Sequence, residues 1–128
     1  MTDRIQTVQQ LYSAFAEGDS ARMGELLADT QWIEAAGMPY GGTYRGFAEI
    51  AANVFGPITS DVQGFTAKPD QIIPAGDDQV LVLGTYGGTG SAGDVAVPFA
   101  HLWKIRDGRV TNFVQYADTH LFRQAIGA

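Results

Sequence analysis

Val97-Pro98-Phe99-Ala100-His101-Leu102-Trp103-Lys104-Ile105-Arg106, then Asp107-Gly108, then Arg109-Val110-Thr111-Asn112-Phe113-Val114-Gln115-Tyr116-Ala117, is the stretch that decides the fold. Two runs rich in β-branched and aromatic residues meet at Asp-Gly, a pair that tolerates the positive φ angles of a tight hairpin turn. Successive side chains of a strand point to opposite faces, so Phe99, His101 and Trp103 share one face. A titratable imidazole in mid-strand needs a reason: a pocket, a cap or a core hydrogen bond.

Two registers are open at this hairpin. A turn with a Gly bulge at Gly108 pairs Ile105 with Arg109 and sets His101 opposite Phe113, with Gln115 and Ala117 on the same face. A two-residue loop pairs Arg106 with Arg109 and sets His101 opposite Val114, beside Tyr116 and Asp118.

Outward from the hairpin, the period of the apolar residues changes. Ile5, Val8, Leu11, Tyr12 and Phe15 have helical spacing and predict a helix over 3–17, which Gly18 can close. Asp19 can cap a short second helix whose apolar side is Met23, Leu26 and Leu27. Residues 31–35 read as a brief strand and 37–46, with four glycines and Pro39, as a loop. Phe47, Ile50, Ala51, Val54 and Phe55 predict a third helix, stopped by Gly56-Pro57. Further strands are expected near 62–73, 79–88, 94–106 and 109–117, and a last helix over 119–126. Helices followed by a meander imply α+β, with helices packed on one face of a curved antiparallel sheet.

The 128 residues predict one domain, 1–128. There is no cysteine, which removes disulfides and thiol chemistry, and two histidines make a zinc site improbable, so no metal is expected. A net charge of −6, with scattered basic residues, argues against nucleic acid as a partner. No apolar run is long enough for a membrane span and the N-terminus has no signal pattern, so the expectation is a cytoplasmic protein without a membrane partner. The glycine-rich stretch 84–93 lacks the ending of a phosphate loop and suits a bent hairpin.

Several short motifs recur here in a familiar order. They are Leu26-Leu27-Ala28-Asp29 before Trp32, Gly42-Thr43-Tyr44-Arg45-Gly46 opening a helix, and Val80-Leu81-Val82-Leu83-Gly84. Then follow Pro98-Phe99-Ala100-His101-Leu102-Trp103, Arg106-Asp107-Gly108-Arg109-Val110 and Gln115-Tyr116-Ala117-Asp118-Thr119. Together they resemble the SnoaL-like branch of the nuclear transport factor 2-like superfamily, which is related to ketosteroid isomerases and polyketide cyclases. The resemblance implies a cone: a strongly bent antiparallel sheet wrapped around the N-terminal helices, with an apolar pocket at its open end. It also implies dimers through the outer sheet face. It favours the bulged register at Gly108.

Fold alone does not settle function, because this superfamily holds isomerases, cyclases, hydrolases, dehydratases and binding modules. The expectation is a small cofactor-free enzyme doing proton-transfer chemistry, isomerisation or cyclisation, on an apolar carbonyl-bearing molecule. The alternative is a non-catalytic ligand-binding or dimeric interaction module with the same pocket.

Three residues are the catalytic candidates. His101 can act as acid or base near neutrality, and the resemblance puts a cyclase histidine on this strand. Gln115 falls where the cyclases carry an acid; an amide cannot transfer a proton, but it can orient a water or bind a carbonyl. Glu34 is the only carboxylate in the first strand, where the resemblance puts an isomerase base, although the natural alignment sets Ala35 at that position. Trp32 and Glu34 share one strand face, Ile33 and Ala35 the other, and which of them lines the pocket is open. An exposed or interface Glu34 is the commoner outcome for this residue type.

Asp118 is read as the N-cap of the last helix, with a site acid as the alternative. The expected ligand-binding wall is Tyr12, Phe15, Trp32, Tyr40, Phe55, Tyr86, Phe99 and Phe113. Apolar residues on the other strand parity, including Leu81, Leu83, Leu102 and Val114, predict a homodimer through the outer face.

Overall fold

The computed structural model describes residues 3–128. Helix α1 spans Arg4–Glu17 and α2 spans Ser20–Leu26. Strand β1, Gln31–Glu34, and β2, Gly42–Arg45, precede a continuous helix α3 over 46–61. The long strands β3 (Gln63–Ala75), β4 (Gln79–Gly90), β5 (Gly93–Arg106) and β6 (Arg109–Ala117) follow, and α4 (Thr119–Ile126) closes the chain.

The caps expected at Asp19 and Asp118 form, and Asp3, expected as the first helical residue, is a third cap. Asp3, Asp19 and Asp118 each accept a backbone N–H from the first turn of α1, α2 and α4. Asp118 is therefore a cap. Gly18 ends α1 at φ 68°, the left-handed conformation a helix C-terminus favours.

The α+β class holds too, with three corrections. The sheet has six strands in the order β2-β1-β6-β5-β4-β3 and is mixed, because β1 runs parallel to β6 while every other pair is antiparallel. Inside the expected loop 37–46, residues 42–45 form β2 and pair with β1. Finally, Gly56-Pro57 does not stop α3. Residues Ala51–Phe55 widen into a π turn in which the Gly56 N–H reaches Ala51 O, five residues back, and the helix passes Pro57 to end at Asp61. A proline that lacks an N–H and crowds the preceding turn is accommodated by this local change of register. The sheet is neither closed nor strongly curled, and the cone stays an expectation of the resemblance.

The hairpin register is neither of the two expected ones: His101 faces neither Phe113 nor Val114, because the two-residue loop and a bulge occur together. Asp107 and Gly108 have φ 53° and 73°, so the two-residue loop forms and Arg106 pairs with Arg109. The bulge expected at Gly108 lies instead one pair further on, where Ile105 faces Val110 but Lys104 faces Asn112. The extra residue, Thr111, restores the other parity. His101 thus lies opposite Gln115, with Phe113 on the same face, and Tyr116 points outward at 57% exposure.

Candidate active site

One row of side chains crosses the inner face. Trp32 pairs laterally with Phe113, and Phe113 with Trp103; one step along, Glu34 of β1 lies on the side of Gln115, which faces His101 of β5. All six are buried. Tyr12, from the apolar face of α1, closes the row from above, and Tyr86 reaches in from β4.

His101 makes two short bonds. Its Nδ1 lies 2.6 Å from the Tyr12 hydroxyl and its Nε2 lies 2.6 Å from the Tyr86 hydroxyl. Each hydroxyl also accepts an N–H: Tyr12 from Trp103 Nε1 at 3.0 Å, Tyr86 from Gln115 Nε2 at 2.8 Å. The Gln115 amide cannot be turned around, because its oxygen accepts the Ala35 N–H at 3.0 Å. Phe99 stacks on the imidazole at 3.8 Å between centroids. Its ring has room to lie there because Gly84, on the neighbouring strand, has no Cβ to meet it. Burial pushes the His101 pKa well below 6.5 and those of Tyr12 and Tyr86 well above 10, so all three are neutral.

Glu34 is different. It is 2% exposed. Trp32 Nε1–H donates to its Oε1 at 2.9 Å, but Oε2 has no partner, the one such buried side-chain oxygen or nitrogen among the described residues. Burial raises its pKa to about 7, and the donors from Trp32 and the nearby Gln115 only partly offset this. The commoner reading of an exposed or interface glutamate is thereby overturned. Trp32 and Glu34 face inward, while Ile33 is 38% exposed on the outer face. The register of β1 along β6, which sets Trp32 beside the buried Phe113, decides this, and no local signal in the strand did.

These groups enclose a chamber of about 30 Å³ lined by Tyr12, Phe15, Trp32, Glu34, Phe55, Tyr86, His101 and Gln115. A wider cleft of about 360 Å³ between α1 and β3 shares Tyr12, Phe15, Phe65 and Ala67 with it. Tyr40, Phe99 and Phe113 do not line the chamber. Tyr40 turns its hydroxyl to Asp61 at 2.7 Å and packs on Phe122. Phe99 lies behind the imidazole, and Phe113 is clasped between Trp32 and Trp103.

Unforeseen wall members are Val54 and Ile58 of α3, Phe65 and Ala67 of β3, Trp103 and Leu11. The helical spacing of Val54 could have flagged it; nothing local distinguishes Phe65 from the other core aromatics.

Comparison with known proteins agrees with this architecture. A family model described as a SnoaL-like domain matches residues 8–113. A nuclear transport factor 2-like protein of Burkholderia thailandensis is 36% identical over 98% of both chains, with a TM-score of 0.91. Another such protein, of unknown function, from Burkholderia pseudomallei is 32% identical over 100% of both, at 0.88. TerC, co-crystallised with polyporic acid, is 28% identical over 97% of this chain and 98% of its own, at 0.86. No curated protein matches the chain.

Proposed function

The chain belongs to the SnoaL-like domain family of the nuclear transport factor 2-like superfamily, and we propose that it is a cofactor-free enzyme of proton transfer on an apolar, carbonyl-bearing small molecule. The observation that carries this reading is the Oε2 of Glu34: buried, unpartnered, and part of an apolar chamber wall. A buried oxygen without a partner costs free energy unless a ligand completes it. A carboxyl whose pKa stands at about 7 is also matched to proton transfer at neutral pH.

In this reading Glu34 takes a proton from the carbon beside the carbonyl. A tyrosine hydroxyl donates to the carbonyl oxygen as negative charge develops on it. Gln115, His101 and the two tryptophans hold these groups in place. The chamber accepts only the reacting end of the molecule, and the body lies in the cleft, whose size is that of ordinary ligand sites. Co-crystallisation of TerC with polyporic acid supports a small molecule as occupant.

The test is exchange of the α-hydrogens of a panel of cyclic and aryl ketones in D2O, followed by NMR. Catalysed exchange that Glu34→Gln abolishes is the expected result. Ketones that raise the melting temperature without exchanging would favour the second reading, a binding module. That reading draws on the smallness of the chamber and on both imidazole nitrogens being occupied.

The outer sheet face supports a homodimer. Leu81 faces Leu102, Leu102 faces Val114, Ala100 faces Tyr116, and Ile33 lies beside Val114, which makes one apolar field across β4, β5, β6 and β1. Such a field marks an interface. Light scattering at micromolar concentration should give twice the 13.7 kDa chain mass, and Leu102→Glu should halve it.

A further inference from the structure

Counting hydrogens along the Tyr12–His101–Tyr86 chain gives a definite result. The neutral imidazole carries one N–H and each phenol one O–H. The two links, Tyr12 to Nδ1 and Nε2 to Tyr86, use one hydrogen each. One hydrogen is therefore left over, and it must be on a tyrosine. It cannot point at Trp103 or at Gln115, because both of those donate. With the N–H on Nε2, Tyr86 keeps a free O–H; with the N–H on Nδ1, Tyr12 keeps it. Tyr86 feels the charge of Glu34, so an ionised Glu34 draws the free O–H to the Tyr86 side. Tyr12, at the other end, lines both the chamber and the outer cleft.

We propose that Tyr12, His101 and Tyr86 form a proton wire that joins the outer cleft to the buried carboxyl of Glu34. The last gap, from Tyr86 to Glu34, is crossed by a water, for which a chamber of about 30 Å³ has room for about two. One pass balances as follows. A hydronium or buffer acid in the cleft gives a proton to the Tyr12 oxygen and returns to solvent as its conjugate base, while the original Tyr12 proton moves to Nδ1. The Nε2 proton moves to the Tyr86 oxygen, and the free Tyr86 proton passes through the water to Glu34. The products are a protonated Glu34, an Nδ1–H imidazole and a free O–H on Tyr12; no imidazolium or phenolate persists. The wire gives a 2% exposed carboxyl a route to exchange its proton with solvent without opening the chamber. It rests on the proposed proton chemistry of Glu34 only for its use.

The protonation of Glu34 and the tautomer of His101 are thereby locked together. The titratable groups facing them are Tyr12 from α1, Tyr86 from β4 and Tyr40 from the β1–β2 loop, with Asp61 of α3 behind Tyr40. The rest of the facing surface of α3 and β3 is apolar: Val54, Phe55, Ile58, Phe65 and Ala67.

The test needs no substrate. Histidine labelled with nitrogen-15 reports by NMR which ring nitrogen carries hydrogen, and His120→Gln assigns the signal. Above the Glu34 midpoint, read from its carbon-13 carboxyl signal, the hydrogen should sit on Nε2; below it, on Nδ1, with one shared midpoint. Glu34→Gln should remove the pH dependence. Tyr12→Phe should hold the hydrogen on Nε2 at every pH, and if that variant does not fold, the wild-type and Glu34→Gln titrations decide. A Glu34 that titrates while His101 keeps one tautomer, or an imidazolium at the midpoint, overturns the wire and leaves proton transfer at Glu34 standing. A switching tautomer without ketone exchange would leave the wire standing and remove the enzyme.

Discussion

His101 at the centre of the sheet and Glu34 toward its β1 side are separated by Gln115 alone, and both are buried, yet their polar atoms meet opposite circumstances. Both imidazole nitrogens are taken up by tyrosines that are themselves held by Trp103 and Gln115. Half of the Glu34 carboxyl is held and half is free. A satisfied buried network fixes geometry, whereas an unsatisfied atom in it asks for a ligand. The mid-strand histidine that draws the eye in the sequence is thus fully partnered, and the glutamate that looks like a surface residue carries the unpaired oxygen on which the proposed chemistry rests.

That contrast breaks most decisively at Glu34. Glu34→Gln should lower turnover of any exchanging ketone by roughly 10²–10⁴-fold, the range for a general acid–base group, with the folded state intact by circular dichroism. If His101→Ala lost as much while Glu34→Gln did not, the roles would be reversed.

His101→Ala should instead show its largest effect in urea unfolding. It leaves two buried hydroxyls without their shared partner and opens space beneath Tyr12, a loss of about 3 kcal/mol or more.

Stability against pH separates the two groups by sign. Glu34 has a folded pKa of about 7 against 4.5 unfolded, so between those values the folded protein holds a proton the unfolded chain has lost. Its contribution falls as pH rises through that window and is flat above it. Glu34→Gln should therefore be more stable than the wild type at pH 8, by up to about 3 kcal/mol, and equal to it near pH 4.5. His101, held below 6.5, works the other way: stability is lost as pH falls below 6.5. The two slopes oppose each other where the windows overlap below pH 6.5, so melting curves of Glu34→Gln, which keeps the His101 slope alone, compared with those of the wild type separate them.

Gly84→Ala sharpens the comparison on the His101 side alone. A Cβ there would run into Lys68 O and the Phe99 ring that backs the imidazole. A loss of about 1–3 kcal/mol by thermal denaturation is expected, with the Glu34 midpoint unchanged.

Much of this was legible in the chain. The period of apolar residues marks α1, α4 and the four long strands, and Asp-Gly with positive φ at both residues marks the hairpin. The inward set Phe99, His101 and Trp103 follows from alternation. The bulge at Thr111 was not legible, because nothing about Thr111 itself calls for one; the pairing of two whole strands does. Nor was the passage of α3 through Pro57, which depends on a π turn packed against the chamber.

The sequence by itself therefore determined the class of fold, the caps of α2 and α4, the turn of the hairpin and the strand face that His101 shares with Phe99 and Trp103, all of which arise from neighbours a few residues apart. The tertiary structure decided the rest: that β1 lies parallel to β6 with Glu34 inward, that Tyr12 and Tyr86 meet on one imidazole, and that one carboxylate oxygen is left unpaired. Those contacts join residues 15 to 89 positions apart, and their free energies depend on burial, which exists only once the sheet and helices have closed over them.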